Sequence, residues 1–307
     1  MDSTVTHNRV PHSVLSGFEI AKYRFKARVT KEIALPVYKG SAFHGGFGCA
    51  LKAISPAFFQ LFYQPPGQGE PPKPFVLLPP LEETVAYSLG DEMLFELVLI
   101  GSATQYFPVC FAAFEYLGQQ FGFGKTKGCY QINEVNRCEL DGSSTAVYKD
   151  GEWRLANTCK VAEHGITPQT LGDLTLQFKT RLRLKHNGQL LKQTPSFGLL
   201  LDRLLGRLCT LAKFYQSHTL LLRDERQALL NAAQAINVCN STLCWNEWSR
   251  YSGRQKEWMQ FGGLLGEVGY QGNLAPFLPY LRLGEWLHVG GKTSFGLGKY
   301  EIIERKG

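Results

Sequence analysis

Residues 288–303, His-Val-Gly-Gly-Lys-Thr-Ser-Phe-Gly-Leu-Gly-Lys-Tyr-Glu-Ile-Ile, place four glycines and two lysines ahead of a strand-like end. A shorter version, Phe-Gly-Phe-Gly-Lys-Thr-Lys-Gly, occupies residues 121–128 and precedes another strand-like run, residues 129–135. A Leu-Gly pair precedes both loops, with its glycine at Gly118 and Gly284. We interpret this as an internal duplication, which predicts two copies of one module.

The composition of the two loops suits an anionic ligand. Glycine allows close approach of the backbone and turns N–H groups outward, and the lysines add positive charge. Neither loop is an ATP-binding P-loop, because the glycine required six residues before the lysine is replaced by Gln119 and Trp286. We therefore predict binding of a phosphate or a nucleic-acid backbone. The alternative is that the glycines only form tight turns.

Hydrophobic periodicity predicts the order β-α-β-β-α-β in each half, which is the ferredoxin-like arrangement. In the first half we predict strands at 18–29, 74–78, 92–100 and 129–135, a helix at 43–63 broken near Pro56, a helix at 106–117 capped by Gly118, and a hairpin of 145–148 with 153–155. In the second half we predict strands at 174–184, 243–251, 255–270 and 300–303, helices at 197–215 and 275–286, and an inserted helix at 224–238.

The fold class predicted is therefore α+β, with two tandem ferredoxin-like domains. We divide the chain into a polar leader at 1–17, an N-terminal domain at 18–160 that ends in the hairpin and linker, and a C-terminal domain at 170–307. A chain of 307 residues, 44% hydrophobic, is long enough to give each domain its own core.

The net charge and the cysteines limit the classes of function that this chain can have. The net charge is +7, so an anionic partner is plausible without being required. The eight cysteines include no CxxC pair and no zinc-type spacing, and most lie in apolar runs, which predicts buried free thiols and a cytoplasmic protein. The leader has no apolar core typical of a signal peptide, and no apolar run is long enough for a membrane span. We predict neither a metal nor a cofactor.

Two basic clusters are candidate RNA-binding surfaces. Lys179, Arg181, Arg183 and Lys185 alternate along a predicted strand and should share one sheet face, which suits a phosphate backbone; the alternative is a solvated face. In the second cluster cations alternate with aromatic residues, a mixture that suits stacked bases; the alternative is a pair of core tryptophans. Its members are Trp245, Trp248, Arg250, Tyr251, Arg254 and Lys256.

Among the seven histidines, His44 and His288 border glycine-rich backbone. His44 lies at a predicted helix start, with Tyr38 and Lys52 in the same fifteen residues. These three side chains could supply acid–base and phosphate-stabilising groups together. A structural role for a lone histidine at a helix start is the alternative.

Five stretches resemble CRISPR-associated endoribonucleases of the RAMP superfamily, which process precursor crRNA. They are residues 43–52, 74–80, 248–256, 261–266 and 288–298, and the last, the glycine loop, is the family's most specific motif. The resemblance implies two RAMP-type ferredoxin folds and metal-free cleavage, in which the RNA 2′-hydroxyl attacks the adjacent phosphate and leaves a 2′,3′-cyclic phosphate.

The family's catalytic groups vary, often a histidine with a tyrosine and a lysine in the first half, and Tyr38, His44 and Lys52 fall in that region. The position of His44 is often arginine in the family, and the later family histidine falls at or near Cys49, so the resemblance leaves the acting histidine open. The RNA-binding residues that we predict are Lys179, Arg181, Arg183, Arg250, Arg254, Lys256, His288, Gly290, Gly291, Lys292, Gly296, Gly298 and Lys299.

We therefore expect an endoribonuclease whose partners are CRISPR repeat RNA and other CRISPR-associated proteins. Whether it forms a homodimer is left open. The competing hypothesis is a non-catalytic RNA-binding RAMP subunit of a CRISPR effector complex. A housekeeping protein with two RRM modules is disfavoured, because neither half has the aromatic-rich RRM signature.

Overall fold

The computed structural model describes residues 18–67, 71–124, 126–154, 172–216, 218–252 and 257–303, with the backbone alone at 250–252 and 257–259. The N-terminal half contains β1 (Ile20–Lys31), β2 (Ile33–Ala34), α1 (Gly40–Ile54), α2 (Pro56–Tyr63), β3 (Phe75–Leu78), β4 (Ala86–Tyr87), β5 (Glu92–Ile100), α3 (Phe107–Tyr116), β6 (Cys129–Cys138), β7 (Ser144–Lys149) and β8 (Glu152–Trp153).

The C-terminal half repeats this order with one inserted helix and several short strands. Its elements are β9 (Asp173–Leu182), β10 (Lys185–His186), β11 (Gln189–Leu190), α4 (Phe197–Tyr215), α5 (Arg223–Ala233), β12 (Asn237–Ser241), β13 (Cys244–Asn246), β14 (Ser249–Ser252), β15 (Glu257–Gln260), β16 (Gly263–Gln271), α6 (Leu278–Leu287) and β17 (Tyr300–Ile303).

The two main sheets have the same antiparallel topology. The first has the order β3-β5-β1-β6, continued by β7 and β8, and the second has the order β12-β16-β9-β17. In both, the first strand of the module lies between its third and fourth strands. This is the ferredoxin-like order, so the predicted fold class is confirmed.

Part of the first sheet is buried on both faces. Alternate residues of β5 belong to two different cores: Phe95 and Leu97 pack with the N-terminal helices, whereas Val98 and Ile100 pack with the core of the C-terminal half. The core of the C-terminal half also receives Phe18 of the N-terminal half. The two halves therefore meet over an apolar surface, as well as at the aromatic seam described below.

Several predicted boundaries were wrong, each for a local reason. After α3 the chain continues as a π-helical turn to Phe121, so Gly122 (φ +71°), and not Gly118, ends the helical region. Helix α5 ends at Ala233, because the edge strand β12 begins at Asn237. The predicted strand at 243–251 is divided between β13 and β14, and that at 255–270 between β15 and β16.

The predicted burial of the cysteines was also wrong. The described cysteines are free thiols, but only Cys110 and Cys138 are buried, while Cys49, Cys239 and Cys244 are exposed. Within the described residues, no helix combines the length and the apolar character needed to cross a membrane.

Candidate functional site

Side chains from both halves of the chain form an aromatic cluster at the seam. Its members are Tyr38, Trp248, Phe261, Phe295 and Leu297. Tyr38 precedes α1 in the N-terminal half, and Phe295 and Leu297 come from the C-terminal glycine loop. The loop and the start of α1, which the sequence singled out separately, are therefore in contact.

His44 lies in the second turn of α1 and faces this cluster. Its imidazole stacks on the Phe295 ring, with centroids 3.8 Å apart and planes 14° apart. The edge of Tyr63 packs against the same imidazole at 4.9 Å, and the Tyr63 hydroxyl donates to the backbone carbonyl of His44. These contacts leave 8% of the residue accessible to solvent.

Tyr38 connects the cluster to the basic strand. Its hydroxyl donates to the Phe295 carbonyl at 2.7 Å, and burial raises its pKa. The Arg181 guanidinium lies 5.5 Å from the centre of the Tyr38 ring and 5.6 Å from that of Trp248. Since the hydroxyl is buried and already donates within the protein, this arrangement favours a positioning role for Tyr38.

Lys52 is not beside His44. The two residues are eight positions apart on α1, which corresponds to about 12 Å along the helix axis. Lys52 is exposed in the last turn, where its ammonium lies 5.9 Å from the centre of the Phe59 ring. Of the three predicted catalytic residues, the structure brings Tyr38 and His44 to the seam and leaves Lys52 outside it.

The basic strand has the predicted alternation. Thr180, Leu182 and Leu184 are buried, while the cations between them point the other way. The environments of those cations differ, however. Lys179 pairs with Glu301 at 3.2 Å, whereas Arg181 donates to the Asn246 side chain at 2.7 Å. Arg183 donates to the carbonyl of Gly262, and burial lowers the pKa of both arginines.

The glycine loop packs mainly against protein. Gly291 N–H donates to Arg183 O at 2.8 Å, Gly296 N–H to Thr293 O at 2.9 Å and Gly298 N–H to Arg181 O at 3.0 Å. A side chain at Gly290 or Gly298 would overlap a backbone carbonyl, that of Arg183 or Val289. This favours the tight-turn alternative for these glycines, because the N–H groups expected to face phosphate are bonded within the fold.

His288 and Lys299 are buried, which differs from the surface positions expected of RNA-binding side chains. His288 is 2% exposed, and its Nδ1 lies 3.2 Å from the Leu297 carbonyl. Burial, together with the positive charges of Lys299 and Arg207, lowers the His288 pKa well below its usual value. The Lys299 ammonium donates to the Glu285 carbonyl at 2.9 Å.

One basic groove opens beside the loop, with a volume of about 650 Å³. Its walls come from the end of the basic strand, the β10–β11 turn, α4 and the exposed part of the glycine loop. Four cations line it: Arg183, Lys185, Arg203 and Lys292. The Lys292 ammonium also lies 5.9 Å from the centre of the Phe295 ring, so one cation of the groove lies beside the seam.

Sequence reasoning missed Phe295 and Arg203. Phe295 lay within the glycine loop, but only the fold reveals that its ring covers His44, and Arg203 joins the groove from a helix with no local basic pattern. The side chain of Arg250, together with Arg254 and Lys256, lies outside the described residues, so their predicted RNA contacts stay predictions.

Comparison with known proteins agrees with this fold. Residues 176–300 match the family model described as CRISPR-associated endoribonuclease Cas6, and residues 18–160 match a family model described as an N-terminal domain. A search of curated protein sequences gave no match.

Similar solved structures cover nearly the whole chain. Cas6 from Thermus thermophilus is 17% identical with a TM-score of 0.59, covering 93% of this chain and 99% of that one. A Cas6 product complex is 18% identical with a TM-score of 0.61, covering 92% and 99%. A chain of a partial Cas6-RT-Cas1–Cas2 complex gives 15% identity and a TM-score of 0.61, covering 93% of this chain and 46% of that chain. The C-terminal half of this chain therefore matches the Cas6 endoribonuclease family, and its two-module fold is shared with Cas6 structures over nearly its full length.

Proposed function

We propose that this protein is a metal-independent endoribonuclease that cleaves CRISPR repeat RNA into crRNA. The observation that carries the proposal is the meeting of His44, from the N-terminal half, with the glycine loop of the half that matches Cas6. An imidazole is the side chain best suited to transferring protons near neutral pH, and the basic groove, whose Lys292 lies beside the same seam, suits an RNA backbone.

In the proposed reaction the RNA supplies its own nucleophile. The 2′-hydroxyl attacks the adjacent phosphorus, the bond from phosphorus to the 5′-oxygen breaks, and the products carry a 2′,3′-cyclic phosphate and a 5′-hydroxyl. His44 acts as the general base or the general acid. The excess negative charge of the phosphorane is stabilised by a cation at the seam, and Lys292 is better placed for this than Lys52.

The RNA backbone would lie in the basic groove and run past Lys292 towards His44. Phosphates neutralised by Lys185, Arg203 and Lys292 would fix the register of the strand, while the scissile linkage lies at the aromatic seam. Because a Cas6 relative occurs in a complex with Cas1 and Cas2, we include other CRISPR-associated proteins among the proposed partners.

The decisive test is cleavage of a labelled repeat RNA in excess EDTA. We expect a product ending in a 2′,3′-cyclic phosphate, and we expect no cleavage of an RNA with a 2′-deoxynucleotide at the scissile position. Strict dependence on Mg²⁺, or cleavage of the deoxy-substituted RNA, would contradict the mechanism. Tight binding without any cleavage would instead support a non-catalytic RNA-binding subunit.

A further inference from the structure

The contact between His44 and Phe295 joins residues from opposite halves of the chain. The two rings are nearly parallel, with 14° between their planes, and their centroids are 3.8 Å apart. One face of the imidazole is therefore covered by an aromatic ring from the C-terminal glycine loop.

Hydrogen bonds hold the backbone at Phe295 and at the next residue, Gly296. Its carbonyl accepts the Tyr38 hydroxyl, and its N–H donates to Lys292 O at 3.0 Å. Gly296, which follows it at φ +87°, offers its carbonyl to the Thr180 hydroxyl at 2.7 Å. The Phe261 ring packs against that of Phe295 at 5.3 Å. The ring of Phe295 is thus fixed relative to both halves.

Two further rings beside His44 come from the N-terminal half. Tyr63 packs edge-on at 4.9 Å, and the Phe75 ring lies at 6.0 Å. Without Phe295 the imidazole would lose the flat surface that opposes these two rings and could rotate about its side-chain bonds. A displacement of about 1 Å in a reacting group can cost about a hundredfold in rate.

We infer that Phe295 is a positioning residue that fixes the His44 imidazole for proton transfer. This inference rests on the proposed function of His44. It assigns to the glycine loop a task besides RNA contact: the loop carries an aromatic ring across the seam and so completes a site that neither half contains alone. Phe295 itself has no contact with the reacting atoms in this scheme.

The test compares Phe295→Leu, which keeps apolar volume but removes the flat ring, with Phe295→Tyr, which keeps the ring. For Phe295→Leu we expect the single-turnover cleavage rate at saturating RNA to fall by about tenfold to a hundredfold, with the RNA Kd changed less than twofold. Phe295→Tyr should restore the rate to within about threefold of wild type. Phe214→Leu, at another half-buried phenylalanine whose ring packs beside Tyr215 of α4, is the matched control.

A second measurement is independent of activity. In RNA-free protein the ring protons of His44, assigned in NMR spectra with His44→Ala, should shift markedly in Phe295→Leu and little in Phe295→Tyr, because the stacked ring shields them. If Phe295→Leu leaves both the His44 signals and the rate unchanged while His44→Ala abolishes cleavage, the inference is wrong and the proposed function stands. If His44→Ala cleaves normally, the choice of His44 as the proton-transfer group fails first, and this inference fails with it.

Discussion

Gly284 in α6 lies directly against the hydroxyl of Tyr300 in β17, so closely that a Cβ at position 284 would overlap the phenol. The Tyr300 hydroxyl donates to the Leu281 carbonyl of the same helix at 2.7 Å. Gly118 and Tyr130 repeat the relationship in the N-terminal half, where the Tyr130 hydroxyl donates to Phe114 O at 2.9 Å. The duplication seen in the sequence therefore has a packing basis: in each module a helical glycine makes room for the tyrosine of the last strand.

The first prediction follows from this packing. Gly284→Ala should lower the free energy of unfolding by about 2 kcal/mol, because the added methyl group must displace the buried Tyr300 ring. The loss should appear as a lower urea midpoint with an unchanged m-value.

Gly45 is the matched control. It is an exposed glycine inside α1, and a Cβ there would have no neighbour within 4 Å. Gly45→Ala should therefore raise the free energy of unfolding by about 1 kcal/mol, as alanine does for glycine in helix interiors. If both variants raise the free energy of unfolding equally, the Tyr300 ring can move aside at no cost in stability.

The second prediction concerns the glycine loop. Gly298 has φ +75° and faces the Val289 carbonyl, so Gly298→Ala should destabilise the fold by about 2 kcal/mol or more. Because this effect is structural, the fraction that folds should bind repeat RNA with wild-type affinity. Melting temperature and RNA affinity should be measured on one preparation.

Gly291→Ala serves as the control in the same loop. Gly291 is exposed, and the nearest described atom to a Cβ there, Arg183 O, would be 3.7 Å away. We expect its melting temperature to match wild type. If Gly298→Ala is stable but no longer binds RNA, the loop backbone is part of the RNA-binding surface.

The sequence predicted those elements whose signal is local. Helix α4 was predicted with its observed bounds because its apolar residues recur at helical spacing over nineteen residues. Strand β12 was missed because Asn237–Ser241 is exposed throughout and has no alternating apolar pattern. Its place at the sheet edge depends on pairing with β16, thirty residues further along the chain.

The candidate site was predictable only in part, for a similar reason. A basic strand and a glycine loop are visible in the sequence, and the structure brings Arg183 and Lys292 together in one groove. The buried state of His288 and Lys299 was not predictable, since it results from the packing of α6 and the loop. Spacing along the chain grouped Lys52 with His44, but helix geometry separates them.

The third prediction tests the basic groove. Lys185→Gln combined with Lys292→Gln should weaken RNA binding and reduce the slope of log K against log salt by about one to two, since each neutralised phosphate contributes about one unit. Both lysines are exposed, so the protein should remain folded.

Lys179→Gln is the control for charge alone. Lys179 lies on β9, as Arg181 does, but its ammonium pairs with Glu301. We expect a salt slope close to that of wild type for this variant. If Lys179→Gln weakens binding as much as the double variant does, RNA follows the strand face and not the groove.

The last prediction uses the pKa of His288, which burial and the nearby charges of Lys299 and Arg207 hold well below its ordinary value of 6.5. Above that value the imidazole is neutral in both the folded and the unfolded chain, so it contributes no pH dependence. As the pH falls below 6.5, the unfolded chain binds a proton that the folded chain excludes, and stability is lost by up to about 1.4 kcal/mol per pH unit. The loss should end only when the pH reaches the low pKa of the folded state. Asparagine is smaller than histidine and has no group that titrates in this pH range, so it removes the proton-binding site at position 288. His288→Asn should therefore be less stable than wild type at pH 7.5, because its packing is lost, but its stability should fall less steeply between pH 6.5 and pH 5.

His186→Gln, in the exposed β10–β11 hairpin, is the control and should keep the wild-type slope of stability against pH. Urea unfolding at several pH values measures all three slopes, and parallel curves for wild type and His288→Asn would show that His288 takes up a proton in the folded protein.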